Sequence, residues 1–143
     1  MTVREVLRAK GNTEVFTISP TATVVELLDC LNERNIGAVV VLSEEDGSIL
    51  GIASERDLIR KLPGVEHPFQ ATVERIMSTD LTLCTPEDSF GTLMATMTDR
   101  RVRHIPGVED GQLIGLVSIG DAVKFRMDQL EFERDQLTNY VTG

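Results

Sequence analysis

A chain of 143 residues, 26% charged and 41% apolar, has the composition of a globular protein that buries one compact core or two small ones. Its net charge of −9 argues against non-specific nucleic-acid binding, and the absence of tryptophan with 4% aromatic residues argues against a base-stacking surface. No apolar run approaches the length of a membrane span, and the N-terminal segment lacks the apolar centre of a signal peptide. We therefore expect a cytoplasmic protein that does not contact a membrane.

The first half of the chain alternates short helices and strands. Thr2 and Glu5 have the spacing of a capping box, which predicts a short helix over residues 2–9. After it, the apolar patterns predict a strand at 15–18, a helix from 23 to about 35, a buried strand at 36–42, an acidic turn at 43–47, a strand at 48–53 and a helix from 54 to about 62.

The second half repeats this order after a linker at 63–70 and a short helix near 73–77. Its predicted elements are a strand at 81–84, a helix with an apolar stripe around 90–97, a strand starting at 102–105, a turn at 109–111, a strand at 112–117 and a final helix from 118 to about 140. Gly107 stands where the first half has Val41, which predicts a looser strand there.

Constant offsets connect the two halves. Pro20 and Pro86 are 66 residues apart, and after the turn Gly51 and Gly115 are 64 apart, so the second turn is two residues shorter. We predict an α+β fold of two tandem β-α-β-β-α repeats. The predicted division is 1–64 for the first repeat with the N-terminal helix, 65–78 for the linker and short helix, and 79–143 for the second repeat with a long last helix.

One segment occurs in both repeats at the end of a strand. It reads Gly51-Ile52-Ala53-Ser54-Glu55-Arg56-Asp57 and Gly115-Leu116-Val117-Ser118-Ile119-Gly120-Asp121. Ser-x-x-Asp is the spacing of an ordinary capping box, so each copy has a structural interpretation. A helix N-terminus also suits a phosphate, the serines add hydroxyl donors, and Asp57 and Asp121 suit the two hydroxyls of a ribose.

These features resemble the CBS domain, two of which form a unit often called a Bateman module. The resemblance covers residues 12–125 and rests on the Gly-hydrophobic-x-Ser-x-x-Asp segments, the apolar helix stripes and the strand pairs before them. It implies two repeats packed through their sheets about a pseudo-twofold axis, with two clefts for adenosine-containing ligands such as AMP, ADP, ATP, NAD or S-adenosylmethionine. It also implies further dimerisation, head-to-head or head-to-tail.

The resemblance places further contacts at the start of the second strand of each repeat. Gly37 and Ala38 leave room for an adenine edge, and the aligned Arg103 and His104 are candidates to bind phosphate, within a basic cluster that also contains Arg100 and Arg101. Between Ser and Asp, Arg56 could reach phosphate in the first copy. The second copy has Ile119 and Gly120 there, both included among the nucleotide-binding residues, and Gly120 would let a ligand approach the backbone closely. We predict two unequal sites, with the second copy binding a phosphate-bearing nucleotide more tightly.

Five other residues are weaker candidates for nucleotide contacts, each with a structural alternative. Lys10 is either a phosphate ligand or an exposed lysine, and Met77 either lies over an adenine or fills the core. The other three lie near the expected clefts: Thr17, Ser19 and Thr85.

The last helix and the cysteines have their own interpretations. Met127, Leu130, Leu137 and Val141 follow heptad-like spacing with Arg134 at the one polar position, which fits either packing on its own domain or pairing with a second subunit. Cys30 and Cys84 lie inside predicted elements and are interpreted as reduced core residues, since two cysteines and two histidines give no metal-ligand spacing.

Three classes of function remain to be compared. The leading hypothesis is a regulatory sensor that binds an adenine nucleotide and signals to a separate protein. The second is a dimeric interaction module whose repeated motifs only cap helices. The third, an enzyme, lacks support because no nucleophile–base motif, metal set or phosphate loop is visible, and we expect no catalytic cofactor.

Overall fold

A computed structural model of the chain describes residues 1–11 and 15–142. The α-helices of these residues are α1 Val3–Lys10, α2 Val24–Arg34, α3 Glu55–Lys61, α4 Val73–Ile76, α5 Phe90–Arg100 and α6 Ile119–Thr142. The strands are β1 Thr17–Ile18, β2 Ala38–Leu42, β3 Ile49–Ser54, β4 His104–Glu109 and β5 Gln112–Ser118. Two short 3-10 helices, Leu62–Gly64 and Pro68–Gln70, lie in the predicted linker. None of the helices in this part of the chain is both long and apolar enough to cross a membrane.

The chain folds into two compact units. The first unit contains residues 15–82, and the second unit contains residues 1–11 together with 83–142. The N-terminal helix α1 therefore packs with the second repeat, although the predicted division places it with the first. Likewise α4, placed with the linker, completes the core of the first unit, where Val73 and Ile76 are fully buried.

The packing of α1 and α4 shows that each helix fills the same place in its unit. Val3 N–H donates to Asp88 O at 2.9 Å, and Val73 N–H donates to Ala22 O at 2.8 Å. Both acceptors precede the serine or threonine that caps the following helix, Ser89 for α5 and Thr23 for α2. Each repeat is therefore preceded in sequence by such a short helix. However, α1 packs in the second unit and α4 packs in the first.

The first unit has a three-stranded sheet in the order β1-β2-β3. β1 is parallel to β2, and β2 is antiparallel to β3 with Ala38 opposite Ser54 and Val41 opposite Gly51. Val39 and Val41 of β2 pack with α2 and α4 in one apolar core. As a result, the end of β3 and the start of α3 stand beside the start of β2.

The second unit repeats this arrangement with one strand missing. β4 and β5 are antiparallel, with His104 opposite Ser118. The predicted strand at 81–84 was wrong in extent, because only Cys84 pairs, parallel to Gly107, among the described residues. Val40 N–H in β2 donates to Phe16 O, but the equivalent residue is Pro106, which has no N–H to donate. The strand that contains Gly107 is continuous, with a bulge after Gly107 as after Val41.

Candidate functional site

The two signature glycines lie where another segment crosses the strand closely. A Cβ on Gly51 would be 2.6 Å from the Ser78 carbonyl oxygen and 3.2 Å from the Met77 sulfur. A Cβ on Gly115 would be 2.6 Å from Cδ2 of Leu7. Ile52 and Ser78 exchange two backbone hydrogen bonds at 3.0 and 2.8 Å, which hold this contact. Met77 therefore packs on Gly51 and against the core of the first unit, in agreement with the core-filling role that was one of its two predicted roles.

The first junction joins β3 to α3 through Ser54 and Asp57. Ser54 Oγ accepts from Asp57 N–H, and Asp57 Oδ2 accepts from Ser54 N–H and Ser54 Oγ–H, both at 2.9 Å. On the other oxygen, Ser78 Oγ–H donates to Asp57 Oδ1 at 2.7 Å, and the Lys61 ammonium lies 3.4 Å away. Asp57 is 8% exposed. Both oxygens of this buried carboxylate are thus used within the unit.

Lys61 and Ser78 were missed in the sequence analysis. Lys61 also donates to the carbonyl oxygens of Ile76 and Met77, at 3.0 and 3.2 Å, so it joins α3 to the end of α4. The i, i+4 spacing of Asp57 and Lys61 was visible in the sequence, but Ser78 reaches the carboxylate only through the packing of α4.

The second junction joins β5 to α6 and has a more open carboxylate. Ser118 N–H donates to Asp121 Oδ2 at 2.9 Å, and Asp121 N–H donates to Ser118 Oγ at 3.0 Å. The Lys10 ammonium lies 3.0 Å from Asp121 Oδ2 and donates to Leu116 O at 2.8 Å. The Asp121 side chain is 23% exposed, compared with 10% for that of Asp57.

Electrostatics keep the Asp121 carboxyl ionised. Burial by itself would raise its pKa, but the hydrogen bond from Ser118 N–H and the hydrogen bond and charge of Lys10 outweigh burial. The pKa of Asp121 therefore lies below its ordinary value. Lys10, predicted as a phosphate ligand or an exposed lysine, is exposed, and its ammonium is paired with the signature aspartate.

The starts of β2 and β4 lie at these junctions, as predicted. Glu55 N–H donates to Gly37 O at 3.0 Å, and Ile119 N–H donates to Arg103 O at 2.8 Å. Ala38 is buried opposite Ser54 in the ladder, and His104 is half-buried opposite Ser118. The Arg103 side chain is exposed. The strand pairing therefore brings a basic pair to the second junction and a small apolar pair to the first.

Backbone amides at the start of each helix are only partly available. In α6 the amides of Ile119 and Asp121 donate to Arg103 O and Ser118 Oγ, and the residue between them is the exposed Gly120. In α3 the corresponding residue between two engaged amides is the exposed Arg56. The two helix starts thus share their geometry and differ in the side chain at this position.

Three weaker candidates do not lie at the junctions. Thr17 is exposed on β1, which β2 separates from β3. Ser19 Oγ pairs with Thr21 Oγ1 at 2.9 Å, and Thr85 donates its N–H and hydroxyl to Asp88 at 2.9 and 3.0 Å. Ser19 and Thr85 thus stabilise the turns before α2 and α5.

The cysteines have the environments expected of reduced core residues. Both thiols are free, Cys84 is buried and Cys30 is partly buried. Burial, with a smaller contribution from the Asp88 charge, raises the pKa of the Cys84 thiol to about 11. This thiol is therefore protonated and unreactive at neutral pH.

Two repeated α+β units, each with a capped Ser-x-x-Asp junction beside a strand pair, define a class of tandem-repeat module. The family model of the CBS domain matches residues 2–64 and 73–128. The chain belongs to the CBS domain family, and its fold is the α+β fold of a CBS pair with a long C-terminal helix. In sequence the first match includes α1, although α1 packs in the second unit.

Similar proteins include a curated relative and solved structures. The chain is 33% identical over 149 aligned positions to the mitochondrial CBS domain-containing protein CBSX3 of Arabidopsis thaliana, covering 99% of this chain and 72% of that protein. It is similar to the crystal structure of the CBS-domain protein ATU1752 from Agrobacterium tumefaciens, with 37% identity, a TM-score of 0.81, and coverage of 87% and 92% of the two chains.

A more distant structure shares the fold and contains ligands. The CBS domain pair of protein MJ0100, in complex with 5′-methylthioadenosine and S-adenosyl-L-methionine, matches with a TM-score of 0.77 and covers 90% of this chain and 98% of its own. The sequence identity is 18%, so this likeness shows the fold alone.

Proposed function

We propose that this chain is a regulatory module that binds an adenosine-containing ligand and signals the bound state to a separate protein. The ligand class is AMP, ADP, ATP or NAD, bound at the Ser-x-x-Asp junctions in the clefts that the family resemblance implies. The adenosyl ligands of the MJ0100 pair support this class. We propose no catalytic role, and cytoplasmic localisation stays a prediction beside a relative described as mitochondrial.

The observation that carries the proposal is the environment of Asp121. Its carboxylate is ionised and partly exposed at the start of α6, and the contacts from Ser118 N–H and Lys10 both fall on Oδ2. We assign Oδ1 to a ribose hydroxyl, because a carboxylate accepts such hydrogen bonds strongly. Lys10 then supplies positive charge next to the sugar.

Phosphate recognition is assigned to the same junction. The Gly120 N–H lies between two engaged amides on an exposed residue without a side chain, so a phosphate oxygen can approach it closely. The exposed Arg103, whose carbonyl is bonded to α6, provides a counter-charge beside it. At the first junction, Arg56 and the buried Asp57 make a weaker site, because a ribose must compete there with Ser78 and Lys61.

Calorimetry with AMP, ATP, NAD and S-adenosylmethionine tests the proposal. We expect Asp121→Asn to weaken binding by about tenfold or more, since it removes a hydrogen bond to a charged group. Asp57→Asn is expected to have a smaller effect, and the exposed Asp99→Asn in α5 serves as the matched control. Arg103→Gln should weaken ATP binding and leave adenosine binding unchanged. Binding of all four ligands weaker than about 1 mM, or a larger effect of Asp57→Asn than of Asp121→Asn, would refute the proposal.

One observation favours a second candidate function. The Asp57 carboxylate is buried and has a partner on each oxygen, which is what a purely structural capping role requires. If both junctions act in this way, the chain is a dimeric interaction module without a physiological nucleotide. This candidate predicts that neither aspartate variant changes the binding of any of the four ligands.

A further inference from the structure

The outer side of α6 carries an apolar stripe without a partner in its own unit. The stripe comprises Val123, Met127, Leu130 and Leu137, which are 45%, 64%, 48% and 67% exposed. Gly120 and Arg134 complete an alternation of three- and four-residue spacings along this side. We call residues 120, 123, 127, 130, 134 and 137 the α6 seam. Such spacing is typical of helices that pair in a coiled coil.

The seam lies away from the core of its unit. Ala122 is fully buried, and the Phe125 ring packs on the Phe90 ring at a centroid distance of 5.2 Å, so these residues form the inner side of α6. The seam also continues past residue 128, where the match to the family model ends. Leu130 and Leu137, the last two apolar residues of the seam, lie beyond this point.

We infer that the seam binds α6 of a second copy of this chain in antiparallel orientation, with Met127 of one helix opposite Leu130 of the other. In this register Val123 lies opposite the second copy's Arg134, and Gly120 lies opposite the second copy's Leu137. The small residue thus faces a large one, and Arg134 lies near the end of the seam, where its guanidinium reaches solvent. The inference goes beyond the proposed function and does not depend on a nucleotide.

Charge complementarity selects this orientation. Lys124 and Arg126 flank the seam near its start, and Glu131 and Glu133 flank it one heptad later. Antiparallel pairing in the stated register puts Lys124 against the second copy's Glu131 and Arg126 against the second copy's Glu133. By symmetry this gives four opposite-charge pairs and no like-charge pair at the flanking positions.

Other registers are less favourable. If the antiparallel pair is shifted by one heptad, Glu131 faces Glu131 of the second copy and Glu133 faces Glu133 of the second copy, so that like charges repel. Parallel pairing places Arg134 opposite Arg134 of the second copy, and the only opposite-charge pair it retains at the flanking positions is Arg126 with the second copy's Glu131. Contacts within one chain compete weakly because their side chains are exposed. Lys124–Asp128 at 3.2 Å joins side chains that are 77% and 61% exposed, and Arg134–Glu131 at 3.8 Å joins side chains that are 73% and 64% exposed. Arg126 also donates to the Gln129 side-chain oxygen at 2.9 Å at an exposed position.

Sedimentation of the full chain tests the seam. We expect a dimer whose dissociation constant rises by about tenfold or more in Leu130→Asp, because the substitution places a charge in the centre of the seam. Phe132→Asp is the matched control, since Phe132 is also an exposed apolar residue of α6, at 62%, but lies off the seam. Circular dichroism confirms that both variants are folded. A monomeric wild-type chain, or equal effects of the two variants, would overturn the inference.

Charge reversal and disulfide formation test the orientation. Glu131→Lys should weaken the dimer, and adding Lys124→Glu should restore it, whereas rescue by Arg126→Glu instead would indicate parallel pairing and overturn the antiparallel assignment. In a Cys30→Ser background, a mixture of Val123→Cys and Arg134→Cys chains should form a disulfide-linked dimer that neither forms alone. Cross-linking of either variant to itself, or no cross-linking of the mixture, would also overturn the assignment.

Discussion

Replacing Gly51 by alanine tests whether the signature glycine is required by packing. The added Cβ would lie 2.6 Å from the Ser78 carbonyl oxygen, which is backbone and is held by the hydrogen-bond pair with Ile52. The backbone must therefore shift. Overpacking of this kind destabilises by about 1–3 kcal/mol, and loss of one hydrogen bond adds about 1 kcal/mol. The lower unfolded-state entropy of alanine offsets about 0.5 kcal/mol, which leaves a net destabilisation of about 1.5–3.5 kcal/mol.

In Gly115→Ala the added Cβ is as close to its nearest neighbour as in Gly51→Ala, but that neighbour is a side-chain atom and not a backbone atom. The atom 2.6 Å from its Cβ is Cδ2 of Leu7, the end of a side chain that can rotate. We expect a destabilisation of about 1 kcal/mol or less. Gly91→Ala in α5 is the control, because a Cβ there would have no atom within 4 Å apart from its chain neighbours and the backbone of its own helix, and helix propensity predicts a stabilisation of up to about 1 kcal/mol.

Urea unfolding followed by far-ultraviolet circular dichroism measures these differences. The chain has no tryptophan and its one tyrosine is Tyr140, an exposed residue of α6, so fluorescence would not report on the cores. Midpoints compared at equal slope give the change in the free energy of unfolding. Equal destabilisation by Gly51→Ala and Gly115→Ala, or a larger effect of the latter, would refute the argument that the nature of the neighbour decides the outcome.

Three further predictions concern the junction network. Lys10→Met should lower the free energy of unfolding by about 1 kcal/mol at neutral pH. Because the pKa of Asp121 is lowered in the folded state, the stabilisation by Lys10 is fully present above the unfolded-state pKa and is lost as the pH falls through the folded-state pKa. The stabilities of the variant and the wild type, measured by urea unfolding, should therefore converge at acidic pH. A difference that stays constant with pH would contradict this prediction. Asp57→Asn should destabilise by about 1–3 kcal/mol in the same assay, since Lys61 and Ser78 lose a charged acceptor, and a neutral result would show that these contacts are dispensable. Ser118→Ala should lower the melting temperature by removing the cap of α6, a loss of about 1 kcal/mol that Ser118→Thr should largely avoid.

The strand-to-helix junctions could be predicted because their determinants are local. A capping residue, the carboxylate three residues later and the apolar pattern around them all lie within one short segment, and the capping box of Ser54 and Asp57 formed as the spacing indicates. The offset between repeats carried this prediction to the second copy and placed Arg103 and His104 beside Ser118.

The environment of each carboxylate depends on tertiary packing and could not be predicted in this way. Ser78 reaches Asp57 because α4 packs in the first unit, and Lys10 reaches Asp121 because α1 packs in the second. The predicted β-α-β-β-α repeat begins at its first strand and leaves out α1 and α4, so neither contact could be derived from it. The absence of a full strand at 81–84 could have been predicted from the sequence. Pro106 aligns with Val40, and a proline cannot donate the hydrogen bond that Val40 donates to the first strand.

The exchange of α1 and α4 between the repeats gives a prediction that separates spatial packing from sequence order. Val3 and Val73 are equivalent residues, each 0% exposed, in the cores of the second and first units respectively. Val→Ala at either position removes two buried methyl groups and leaves a small cavity, a loss of about 2 kcal/mol. The two variants should therefore have similar global stabilities.

Hydrogen exchange of backbone amides distinguishes the two variants by location. Val3→Ala should speed exchange in α5, β4 and β5, because α1 packs with those elements, although they begin more than eighty residues later. Val73→Ala should instead speed exchange in α2, β2 and β3, which precede it. Local openings report the unit in which the cavity lies, even when both units unfold together at high denaturant. Faster exchange in β2 and β3 of Val3→Ala would mean that α1 stabilises the repeat that follows it in sequence, and the assignment of α1 to the second unit would then be wrong.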